Sequence, residues 1–209
     1  MTNIERLKAG FKVFREDYYS GHRHQFEDLK QGQRPRVMII SCSDSRVDPA
    51  ILTNSGPGEI FTVRNVANLV PPYEETGGYH GVSAALEFAV CNLQVSNIIV
   101  LGHSQCGGIG ALMADGVSGR DKFISNWMTI AEPARRQVNA ELPSADIATR
   151  CRAAERAAVA LSLDNLRTFP FVAERLLSGE LTLHGWYFDL ENGDLLEYQP
   201  ETAMFQSIV

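Results

Sequence analysis

Three short, mainly apolar and largely β-branched runs constrain this chain most: Val37 to Ser41, Ile60 to Val63 and Ile98 to Leu101. None alternates apolar with polar, so each predicts a strand buried on both faces. Between the last two, Val82, Ala85, Leu86, Ala89, Val90 and Leu93 recur at helical spacing, which predicts a helix over Tyr79 to Leu93. Buried strands alternating with helices predict a parallel sheet covered by helices on both faces. The turn Ser55-Gly-Pro-Gly announces the second strand.

Outside this centre the pattern changes. Ile4, Leu7, Phe11, Phe14 and Tyr18 form an apolar stripe, which predicts an amphipathic helix over residues 3–18 in search of a surface. Gly21 to Pro35 is polar and reads as loop. Beyond residue 120 the pattern is helical near 122–140, 146–166 and 170–178. Leu181 to Phe188 and Leu195 to Tyr198 read as a closing hairpin turned at Glu191-Asn-Gly-Asp. The expected fold is α/β: a single domain, residues 1–209, with a central parallel β-sheet flanked by helices, a helical arm at 1–30 and a small C-terminal strand addition.

A net charge of −6 disfavours nucleic acid and anionic membrane as partners. The longest apolar runs are too short to span a bilayer, and Met1 to Gly10 carries charge where a signal peptide needs an apolar region. Four cysteines without a secretion signal speak against a disulfide framework and for a reducing compartment, the cytoplasm.

Two cysteines stand where chemistry is expected. Cys42-Ser-Asp44-Ser-Arg46 follows the first strand, and Gly102-His103-Ser-Gln-Cys106-Gly-Gly108 follows the third. Open α/β sheets place their sites at such carboxyl ends. Cys42, His103 and Cys106, with Asp44 beside them, form a donor set suited to tetrahedral Zn²⁺, three protein ligands leaving one position for water. Cys91 and Cys151 lie on helical faces and read as small buried packing residues. Gly102 to Cys106 has the outline of a nucleophile elbow, but its fifth position is cysteine and no acid and base follow in order. Gly107, Gly108 and Gly110 lack dinucleotide-loop spacing. His80 is a candidate proton shuttle and otherwise a packing or capping residue; His22 and His24 read as solvated, His184 as structural.

With these segments, the stretch Gly58 to Pro72 and Leu183-His-Gly-Trp186, the chain resembles the β-class carbonic anhydrases from about residue 30 to 190. The resemblance implies reversible hydration of carbon dioxide to bicarbonate and a proton by zinc-bound hydroxide, with one Zn²⁺ per chain on Cys42, His103 and Cys106. It implies Asp44 and Arg46 as a catalytic dyad. It implies a substrate pocket of Gln33, Phe61, Val66, Phe88 and the backbone of Gly107, several of them supplied by a partner subunit of a homodimer or dimer of dimers. Gln33, nine residues before Cys42, points to the open-site, plant-like branch; Phe88 stands where plant relatives have tyrosine. Ile39 and Phe188 replace the tryptophan and tyrosine of the bicarbonate-gated branch, so gating of that kind is not expected, and Arg64 decides nothing between the branches. An alternative keeps the zinc and acts on carbonyl sulfide or carbon disulfide. Another makes the metal purely structural, against which the Asp44–Arg46 pair argues. If that pair opens at low pH, Asp44 becomes a fourth ligand and closes the site. Two thiolates offset the charge of Zn²⁺, so activity is expected to rise into the alkaline range.

Overall fold

The computed structural model describes residues 2–75, 78–114 and 122–208. They fall into two compact units, Met1–Arg34 and Pro35–Val209.

In the first unit, helix α1 (Asn3–Val13) starts at a capping box in which Thr2 and Glu5 exchange hydrogen bonds. The chain continues through a wider π-type segment, Phe14–Tyr19, and then forms α2 (Arg23–Leu29). The stretch read as loop from Gly21 is therefore largely helical. The reason is aromatic: Phe26 lies 4.6 Å from the Tyr19 ring and 6.1 Å from that of Phe14, and this packing outweighs the polar composition around it.

The second unit is built on a six-stranded sheet in the order β2-β1-β3-β4-β5-β6. Its strands are β1 (Val37–Cys42), β2 (Ile60–Asn65), β3 (Asn97–His103), β4 (Thr182–Phe188), β5 (Leu195–Gln199) and β6 (Met204–Ser207). The first four pair in parallel, and β5 and β6 join antiparallel. The three apolar runs thus lie side by side with β1 in the middle. β4 joins the parallel set beside β3, so the closing hairpin is continuous with the main sheet. β6, a fully exposed edge strand apart from Phe205, has no sequence signal of its own.

Helices cover the two sheet faces unequally. Met38, Ile40, Ile98 and Val100 point to one face and pack with Leu86 and Val90, and with Val159, Leu163 and Leu166. These come from α4 (Gly81–Glu87) with its π-type extension Phe88–Asn92, and from the long α8 (Ile147–Arg167). α9 (Pro170–Leu177) adds Val172. The opposite face carries a smaller cluster, Ile39, Ile99 and Leu101, covered by Leu52 of the short α3 (Pro49–Leu52) and by partly buried side chains of the sheet. At the carboxyl end of the strands, α5 (Gly107–Met113), α6 (Lys122–Met128) and α7 (Glu132–Glu141) pack with the first half of α8 in a third cluster that includes Cys42 and Cys106. No helix among the described residues is long and apolar enough to cross a membrane.

Candidate metal centre

The ends of β1 and β3 bring the two cysteine segments together. Cys42 is the last residue of β1, His103 the last of β3, and Cys106 the residue before α5. Their donor atoms all lie within 4.8 Å of one another, and all three residues are buried. The Cys106 thiol hydrogen-bonds the Cys42 sulfur and pulls its pKa down to about 4 against the cost of burial; Cys106 is pushed up in turn. His103 Nδ1 bonds to the carbonyl of Ser104 at 2.8 Å, which turns Nε2 inward. That Nε2 is buried and has no hydrogen-bond partner. Buried polar atoms without partners are rare, and this one faces two sulfurs. A soft S₂N set of this kind fits zinc with one position left open.

Asp44 stands beside this set. Its Oδ2 lies 4.0 Å from His103 Nε2. Arg46 donates from Nη2 to Oδ2 at 2.8 Å, from Nε to Oδ1 at 3.0 Å and from its backbone N–H to Oδ1 at 3.0 Å. These bonds hold the Asp44 carboxyl well below the usual carboxylate range.

Three residues around this centre were not legible as site residues. Arg64, set aside in the sequence, fastens the loop that carries Asp44. Its guanidinium donates to the carbonyls of Cys42 (2.9 Å), Asp44 (2.7 Å) and Val47 (3.0 Å) and to Asp48 Oδ2 (2.9 Å). Glu155 of α8, only 3% exposed, accepts the Cys106 backbone N–H at 2.9 Å and the Tyr187 hydroxyl at 2.7 Å. Burial pushes its carboxyl up, and the Tyr187 bond opposes this. Ser104 ties the ligand loop to the end of β4, donating its backbone N–H to the Phe188 carbonyl at 2.9 Å and accepting the Leu190 N–H at 2.8 Å. The only sequence signal for Glu155 was a carboxylate among alanines on an otherwise buried helical face.

The residues expected to line a substrate pocket do not gather in one place. Val66 follows β2 directly and packs against α5, where a Cβ on Gly108 would meet Val66 Cγ1 at 2.9 Å. Its carbonyl accepts the Trp127 indole N–H at 2.7 Å. Val66 lines a cleft of about 640 Å³ with Asn65, Tyr79, His80 and Trp127. Gly107, the first residue of α5, adjoins Cys106. Phe61, however, pairs with Met38, whereas Asn65 pairs with Cys42. Phe61 is therefore roughly 13 Å along the strand from the ligand end. Phe88 is 44% exposed and keeps company with Phe61, ring centroids 6.0 Å apart. Gln33 is an exposed residue of the first unit.

The remaining candidates divide. His80 occupies the N-cap position of α4 but makes no capping bond. His184 bridges Glu197 (3.0 Å) and Asn97 (3.1 Å) in the sheet, as a structural histidine would. His22 is exposed but bonded to the Tyr18 carbonyl at 2.8 Å. Cys91, in the π-type segment, is exposed rather than buried; Cys151 is half-buried.

Comparison with known proteins converges on one family. A carbonic anhydrase family model matches residues 37–195. A carbonic anhydrase of Synechocystis sp. is 39% identical over 93% of this chain and 71% of that protein. Beta carbonic anhydrase 3 of Arabidopsis thaliana is 38% identical over 96% of this chain and 79% of its own length. The structure of the β-carbonic anhydrase CcaA superposes with a TM-score of 0.92 at 36% identity, over 99% of this chain and 100% of that one. One of two β-carbonic anhydrases described as tetrameric, from Sordaria macrospora, gives a TM-score of 0.83 at 28% identity, over 93% of this chain and 95% of its own. Fold, donor set and sequence agree: the chain belongs to the β-class carbonic anhydrases, zinc lyases that interconvert carbon dioxide and bicarbonate.

Proposed function

We propose that Asp44 and Arg46 carry the catalytic work of this chain beside a zinc ion held by Cys42, His103 and Cys106. The observation that supports this most is the fork of Arg46 on Asp44, set against the unpartnered, buried Nε2 of His103. Zinc, when bound, supplies a Lewis acid that makes a water nucleophilic near neutral pH.

The protein's own part follows from the bonds. A carboxylate oxygen accepts about two hydrogen bonds. Asp44 Oδ1 is filled by two donors of Arg46; Oδ2 has one, and it is the oxygen nearer His103. The free position on Oδ2 is the acceptor that orients an attacking water. Because Arg46 keeps Asp44 ionised, Asp44 accepts a hydrogen bond without carrying a proton away near neutral pH. Arg64 keeps this geometry in place by fastening the loop that holds both Cys42 and Asp44.

Val66 and Gly107 form the near wall of the substrate site. Phe61, Phe88 and Gln33 serve across a subunit interface, which accounts for Phe61 lying at the far end of its strand from its own ligand set and for the exposure of Phe88. The assembly is a homodimer or a dimer of dimers, in keeping with the tetrameric Sordaria macrospora relatives. The exposed stripe Ile4, Leu7 and Phe11 is the contact by which the N-terminal arm packs on a partner. The chain works in the cytoplasm.

Stopped-flow carbon dioxide hydration with zinc quantified in the same sample tests this reading. The expected result is fast hydration at one zinc per chain, with a rate that climbs past neutral pH. Full zinc occupancy with no hydration above buffer would leave a structural metal or a sulfur analogue of the substrate. A rate already flat from mild acidity upward would contradict the charge argument from two thiolates.

A further inference from the structure

The peptide unit between Gln105 and Cys106 is held at both of its poles. Its carbonyl, on Gln105, accepts from Arg46 Nη2 at 3.0 Å. Its N–H, on Cys106, donates to Glu155 Oε1 at 2.9 Å. A cation therefore grips one end of a single peptide dipole and a carboxylate grips the other. The unit needs holding, because Gln105 has φ +58°. That left-handed conformation costs a non-glycine residue about 1 kcal/mol. It produces the tight turn that brings Cys106 back beside His103.

Glu155 is placed for little else. It sits on α8 between Ala154 and Ala158, nearly sealed from solvent. Its second oxygen accepts the hydroxyl of Tyr187, itself 1% exposed on β4. The Arg156 guanidinium lies 4.8 Å above the Tyr187 ring. A carboxylate at this depth is costly unless its acceptors are engaged, and here both are.

We propose that Glu155 is a positioning residue for the metal site: with Arg46 it clamps the Gln105–Cys106 peptide, and Tyr187 holds Glu155 in place to do so. The clamp sets where the Cys106 sulfur stands. It also ties that ligand to the arginine that orients Asp44, so ligand and dyad are located by one rigid unit. The inference rests on the zinc site proposed above.

The test uses metal readouts that do not depend on turnover: zinc release to excess chromophoric chelator, and the sulfur-to-cobalt charge-transfer bands of the Co²⁺-substituted protein. Glu155→Ala is expected to release zinc about 10- to 100-fold faster and to shift the cobalt bands. Glu155→Gln keeps an oxygen for the Cys106 N–H and is expected within about fivefold of wild type. Tyr187→Phe, which removes only the hydroxyl, is expected to fall between them. Wild-type release and wild-type cobalt bands in Glu155→Ala would overturn the proposal. So would equal losses in Glu155→Gln and Glu155→Ala, since the acceptor would then not be what matters. If Glu155→Ala does not fold, Tyr187→Phe decides, and unchanged release and bands there overturn it. A wild-type protein that binds zinc but does not hydrate carbon dioxide would sink the proposed function, while these metal readouts would still judge Glu155.

Discussion

Asp44 takes three hydrogen bonds from a single arginine and keeps one acceptor position open toward the ligands. Orientation by that position gives a direct prediction. Asp44→Asn is expected to lower kcat/KM by about 100-fold or more with zinc content unchanged, because an amide can turn a donor to the place where an acceptor is needed. Metal analysis beside the kinetics checks it, and loss of zinc would mean that Asp44 supports the site and not the water. A second carboxylate links the site to stability. The backbone N–H of Glu191 holds the Asp189 carboxyl below its ordinary range, with Asn192 and Ser104 assisting. The folded state then binds fewer protons than the unfolded chain as acid is added. Its contribution is complete above the unfolded value of about 3.9 and disappears as pH falls through the lower, folded value. Urea denaturation of Asp189→Asn is therefore expected to show a shallower loss of stability below about pH 4 than wild type. Parallel acid limbs would contradict it.

Among the elements, α8 packs directly onto two glycines of the sheet, which leave no room for a side chain. A Cβ on Gly102 would meet Val159 Cγ2 at 2.6 Å. One on Gly185, in the neighbouring strand, would meet Leu163 at 2.9 Å and Val159 at 3.0 Å. Gly102 immediately precedes His103, so this close approach also fixes the level at which the histidine leaves β3. Gly102→Ala is expected to destabilise by about 1–3 kcal/mol. Combined with Val159→Ala, which removes the clashing methyl, it should cost clearly less than the sum of the two single changes. Additive costs in urea denaturation would show that the contact does not limit the approach. The same scale shows which elements the sequence announces. β1, β2 and β3 each appear within two residues of their expected bounds; β1 and β3 are buried as expected, whereas β2, an edge strand with Thr62 exposed, is only half-buried. α5 carries no helical signature in the sequence, because three of its first four residues are glycine. It is held by tertiary fit, since Gly108 must remain small beneath Val66 and Ala67. β6 has no sequence signature, because an edge strand buried on neither face leaves no pattern.

For the whole molecule, the apolar stripe of α1 is the feature that asks for a second chain. Ile4, Leu7 and Phe11 are each more than half exposed. If the arm packs on a partner, Leu7→Glu with Phe11→Glu is expected to lower the mass found by sedimentation velocity at micromolar concentration. It should also lower activity, as pocket residues contributed across the interface are withdrawn. An unchanged mass would place the subunit contact elsewhere. The sequence by itself determined the family, the parallel centre of the sheet and the Cys42, His103 and Cys106 donor set that the fold brings together. Those depend on short-range facts: apolar runs that must be buried, and donors spaced closely at strand ends. Only the tertiary structure decided that Glu155, 49 residues after Cys106, grips a ligand's backbone, that Arg64 fastens the Asp44 loop, and that Phe61 lies at the far end of its strand from the ligands. These are contacts between backbone groups and side chains distant along the chain. A backbone N–H or carbonyl has no letter in a sequence, so nothing in the residue order marks which side chain will meet it.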